Sequence, residues 1–221
     1  MKYLKIKTTS KQAIFMIVFI QTLFLVALAS AAGAYMGPEV GLRDPFIEGI
    51  INNEFNLQSI LDQFIWGIVG GMICSLVWMS SYYFLIRPNL DDKTVQISEM
   101  LRNRLGLWTR ITSGGIVEEV LFRWGLLSLV LWGMSFFIES SSTAFWLSLL
   151  LTGISFGLLH IPGNIQAGCK PSFLFVASAL LGNLWVSLFC GFLFLEIRYN
   201  FGFYRPYPVS CPMVSIGYEE V

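Results

Sequence analysis

Four ionisable side chains stand out because they interrupt stretches that are otherwise apolar. Glu118, Glu119 and Arg123 lie in GGIVEEVLFRWGLL, and His160, the only histidine of the chain, lies in SFGLLHIP. Charged and titratable groups are costly inside a membrane helix, and by default they mark function there. Glu119 and Arg123 are four residues apart with the acid on the N-terminal side, the order that favours an ion pair on one helix face. On an α-helix Glu118 is turned about 100° away from Glu119 and has no such partner. An unpaired carboxylate in a poorly solvated place is suited to take and return a proton as general base and acid. His160 follows Phe156 by four residues, so these two also share a face.

The elements that must position them are membrane helices. The chain has 221 residues, 55% hydrophobic and only 13% charged, against about 25% charged in an ordinary soluble domain. Fourteen basic and fourteen acidic residues cancel, so no overall charge points to nucleic acid. A spanning helix takes about 20 apolar residues. Five stretches qualify, over 13–34, 64–86, 111–137, 143–161 and 173–195. The third and fourth carry the charges and form an antiparallel hairpin with its turn near Glu139–Ser141. Equal rise on both helices then sets Glu119 level with His160 and Arg123 level with Phe156.

Lys and Arg counts give the orientation. Lys2, Lys5, Lys7 and Lys11 precede the first span, and only Arg43 follows it. Arg87, Lys93, Arg102, Arg104 and Arg110 lie between the second and third spans, and Lys170 follows the fourth. The N-terminus is therefore expected on the cytoplasmic side of a plasma (inner) membrane, with the charged cluster near the same side. The first stretch also has the small-residue end of a signal peptide, but its apolar run exceeds the usual length of 7–15 residues, which favours a retained helix. DDKTVQISEMLRNRLGLW mixes apolar residues with charges and is expected as an interfacial helix on the cytoplasmic surface. Cys74, Cys169, Cys190 and Cys211 have no CxxC spacing and read as reduced packing residues. From 199 to 221 the chain carries Pro206, Pro208 and Pro212 and is expected to be a non-helical tail. The fold expected is all-α: one multi-spanning membrane domain of about five transmembrane helices over residues 1–221.

The two motifs resemble those of the CPBP intramembrane proteases, relatives of the type II CAAX prenyl endopeptidases that also include bacteriocin-immunity-type proteins. The first motif of that family, EExxxR, matches Glu118, Glu119 and Arg123, and the second, FxxxH, matches Phe156 and His160. The likeness runs over about 111–195. It implies an endopeptidase in which Glu118 and His160 polarise a water that attacks the scissile carbonyl. Glu119 and Arg123 would hold the geometry, and Phe156 would pack beside the histidine. The family mechanism is described both as dependent on a divalent metal such as zinc and as a metal-free glutamate type. Substrates implied are membrane-associated or CAAX-like peptides, and lipid is the other partner. The third family motif, HxxxN on a further helix, has no counterpart after the fifth span.

Two other readings compete. A catalytically inactive relative, acting as a membrane scaffold or immunity-type protein, fits the single histidine. A proton-coupled transporter also places acids and histidine in a bilayer, but no internal repeat is found and the cluster lies toward one edge rather than at the midplane, against that class.

Overall fold

The computed structural model describes residues 11–42 and 57–200. The tail bearing Lys2, Lys5 and Lys7, the loop bearing Arg43, and the segment after Asn200 with Cys211 and the three prolines lie outside the described residues. Within them the chain is helical, with no strand. The long elements are α1 (Lys11–Met36), α2 (Leu57–Ser81), α3 (Asp92–Arg104), α4 (Leu127–Ser135), α5 (Ser141–Gln166) and α6 (Phe173–Asn200). Two wide-turned segments, Arg110–Val117 and Glu119–Leu126, run into α4 and make one helix from residue 107 to residue 135. It is called the motif helix below.

Among the described residues four helical stretches are long and apolar enough to cross a membrane: Gln12–Met36, Ile60–Asn89, Ser141–Gln166 and Phe173–Leu193. The chain is thus an all-α, multi-spanning membrane protein. The motif helix reaches the length but carries Glu118, Glu119 and Arg123 within its turns. Large apolar side chains on α1 and α2, such as Phe15, Phe24, Phe64 and Met72, point outward and stay uncovered by protein. Such a surface is stable against hydrocarbon, where it costs nothing, and not against water.

Helix limits differ from the apolar runs in instructive ways. α5 continues through Pro162 to Gln166, past the expected end at 161, because a proline removes one backbone bond without stopping a helix that neighbours hold. It ends where the Cys169 N–H bonds the Asn164 carbonyl at 3.0 Å and the Gly168 N–H bonds that of Ile165 at 2.9 Å, a Schellman stop. Gly168 has φ 108 there, a conformation an L side chain resists. α6 reaches Asn200, two residues into the segment expected to be non-helical.

Close packing fixes the motif helix from two sides. On α1, Ala29 lies so near Gly125 that an added Cβ would meet its Cβ at 2.5 Å and its Cα at 2.6 Å. On the other side the α5–α6 pair closes through Gly157, where an added Cβ would stand 3.1 Å from the Leu180 Cα. Small residues at crossings are how membrane helices gain dispersion contact. The buried core between them is Leu127, Leu131, Ala144, Phe145 and Leu149 with Leu42.

α3 is amphipathic and tied down at both ends. Asp91 caps it by accepting from the Thr94 N–H at 3.1 Å, and the Asp91 carboxylate also pairs with the Lys170 ammonium. Thr94 is buried, and its hydroxyl accepts from the Lys170 N–H at 3.0 Å. Arg87 on the α2 side bonds Glu99 at 2.8 Å, and the Arg102 guanidinium lies 4.8 Å over the Tyr82 ring. At the far end Arg110 donates to the Arg102 carbonyl, a cation on the negative end of the helix.

Candidate active site

Backbone bonding in the motif helix decides where its charges go. The Glu118 N–H donates to Ser113 and the Leu127 N–H to Phe122, five residues back rather than four. Wide turns of this kind recur at functional sites. Wider turns rotate less per residue than an α-helix does, which narrows the angle between residues five apart such as Glu118 and Arg123. Glu118, Glu119 and Arg123 accordingly line one cleft, together with Phe122 and Leu127 of the same helix. Thr152 and Phe156 from α5 and Ser187 from α6 form its other walls. The cleft is narrow, about 10 Å³ of free space, on the order of one water.

Arg123 Nη1 donates to Glu119 Oε1 at 2.5 Å, with 18% of the arginine side chain and 46% of the glutamate side chain exposed. The expected ion pair is present, and the arginine is the deeper partner. Its Nε is buried and has no acceptor. Among the described residues Glu118 has no ion-pair partner. Its carboxylate lies near Gly114, where an added Cβ would stand 3.9 Å from Oε2, an ordinary contact distance.

Phe156 is the link to the histidine. Its ring centroid is 4.4 Å from that of Phe122 and 4.6 Å from that of His160, the latter contact edge-on. Phe122, one position from the expected Arg123, is therefore the residue that meets Phe156 across the hairpin. His160 stands beyond Phe156 beside the cleft and makes no direct hydrogen bond to Glu118. Its Nδ1 lies 2.8 Å from the Phe156 carbonyl oxygen. A carbonyl only accepts, so Nδ1 carries a proton, and in the neutral ring it is Nε2 that holds the lone pair. Asn164, passed over in the motif reading, stands four residues after His160 and donates to the His160 carbonyl at 2.8 Å. The signal was in the sequence as His160-x-x-x-Asn164.

Among the described residues no three His, Cys, Asp or Glu side chains gather in a way that could hold a metal. Tetrahedral zinc takes three or four such ligands. With Glu119 engaged by Arg123, this donor set does not fit one. The arrangement offers instead a carboxylate with no ion-pair partner among the described residues, an imidazole and an incompletely satisfied guanidinium around a narrow polar opening in an apolar bundle.

Residues 102–200 match the family described as type II CAAX prenyl endopeptidase Rce1-like, a stretch that holds every motif residue. No curated protein and no solved structure matches the chain.

Proposed function

We propose, from the match of residues 102–200 to the type II CAAX prenyl endopeptidase Rce1-like family, that the chain is an intramembrane endopeptidase of that kind. The observation that carries the proposal is the shared cleft. Glu118 is unpaired at its wall, Glu119 and Arg123 are locked beside it, and Phe156 joins the cleft to His160.

In this reaction a water sits between Glu118 and His160 Nε2. Glu118 takes a proton from the water as its oxygen bonds to the scissile carbonyl carbon. The tetrahedral species collapses with cleavage of the C–N bond, and Glu118 returns the proton to the departing amine. One amide and one water become one carboxylic acid and one amine. A positioned general base contributes about 10²–10⁴-fold. His160 orients the water, and the Glu119–Arg123 pair keeps the wide-turned helix in register.

The substrate class is a membrane-associated or CAAX-like peptide, admitted from the cytoplasmic side by the orientation that the lysine and arginine counts support. The test uses the full chain in lipid vesicles with a library of lipid-tethered peptides in H₂¹⁸O. Hydrolysis adds one solvent oxygen to the new carboxyl terminus of a product, read by mass spectrometry. Intact peptides throughout, with folded protein, would favour the inactive scaffold instead.

A further inference from the structure

Ser187 on α6 carries a hydroxyl that the described structure leaves unused. Hydroxyls on membrane helices commonly back-bond to a carbonyl one turn earlier. Ser148, Thr152 and Ser155 on α5 do so at 2.7, 2.8 and 2.8 Å. Ser187 makes no such bond, although it is only 6% exposed, and what it does face is the cleft. Its position is fixed by α5, since an added Cβ at Gly153 would meet Ser187 Cβ and Oγ at 3.0 Å.

A second unspent donor belongs to Arg123, another residue of the same cleft. A guanidinium has five N–H groups; Arg123 uses Nη1 on Glu119 and leaves its buried Nε without an acceptor. The Thr152 hydroxyl is already committed to a carbonyl. A resting anion is opposed by Glu118 and Glu119 unless Glu118 holds the proton that it takes in the reaction. A neutral amide oxygen is not, and it becomes strongly accepting only as the carbonyl turns tetrahedral. Donors aimed at such an oxygen are worth most in the transition state.

We propose that Ser187 is a further catalytic residue, whose hydroxyl donates to the oxygen of the scissile carbonyl beside the guanidinium of Arg123. As the water oxygen bonds to the carbonyl carbon, the C=O π pair moves onto that oxygen and is held there. It returns when the C–N bond breaks. Ser187 keeps its proton and forms no covalent bond. This assignment rests on the endopeptidase reading.

The test compares wild type with Ser187→Ala in detergent, using a peptide phosphinate as the tetrahedral anionic probe and the matching ketomethylene peptide as the ground-state probe. Phosphinate affinity is expected to fall on the order of 10²-fold, in the range for loss of one oxyanion donor, while ketomethylene affinity stays unchanged. The kcat for a tethered peptide falls in parallel with KM unaltered. Equal phosphinate affinity in the two proteins overturns the assignment, as does an equal loss for both probes, which is what a structural role would give. Binding is read without turnover. Selective phosphinate loss in a protein that hydrolyses nothing would therefore overturn the endopeptidase reading and leave the Ser187 contact standing.

Discussion

The Arg123 guanidinium is the deepest charge of the cluster, and its value lies in what it keeps neutral. Arg123→Met leaves Glu119 without a partner. A fully buried pair loses about 3–5 kcal/mol on such a change; with the Glu119 side chain 46% exposed, about 1–3 kcal/mol is expected after discounting for that exposure. Thermal unfolding in detergent measures it, and Glu119→Gln combined with Arg123→Met should recover most of the loss. At this scale the sequence spoke through rarity. Glu118, Glu119, Arg123 and His160 were legible because charges do not belong in apolar helices. Ser187 was not, since serine is ordinary there, and only its burial and its missing carbonyl bond distinguish it. The Nδ1 bond of His160 was equally hidden, because its acceptor is backbone.

Among the elements, the motif helix departs most from what spacing conveys. A period of 3.6 residues separates Glu118 from the pair, whereas turns closed five residues back narrow that separation. Nothing in hydrophobic periodicity announces such turns. Existence of the helices was readable from the apolar runs; limits were not, as α5 passing through Pro162 demonstrates. The contact of α1 with the motif helix gives a prediction at this scale. Gly125→Ala forces a Cβ against the Ala29 backbone, so the helices must part, at a cost of about 1–3 kcal/mol by the usual penalty for overpacking. The melting temperature in detergent should fall accordingly. Peptidase activity should fall with it if α1 sets the position of the wide turns, and Ala29→Gly should restore part of both.

Over the whole molecule, α3 fastens the ends of the other helices together. Its N-terminus holds the loop after α5 through Thr94 and Asp91, and its far end holds Arg110 at the start of the motif helix. Thr94→Val removes the acceptor of the Lys170 N–H and should cost about 1–3 kcal/mol, as for an orphaned buried donor. The Lys170 ammonium, with the Thr94 N–H, holds the Asp91 carboxyl below its ordinary value of 3.8. A depressed carboxylate contributes stability above its unfolded pKa and loses it as pH falls through the folded one. The contact is therefore intact at neutral pH and is lost below about pH 3.8, and Asp91→Asn should abolish that part of the acid transition in a melting series. The central claim concerns hydrolysis, and one measurement reaches it most directly: cleavage of a lipid-tethered peptide by wild type, Glu118→Gln and His160→Ala reconstituted side by side. Wild type should cut, and both variants should lose at least about 10²-fold, the lower end of general-base catalysis, with unchanged melting temperatures. Equal cutting by the variants would contradict the account.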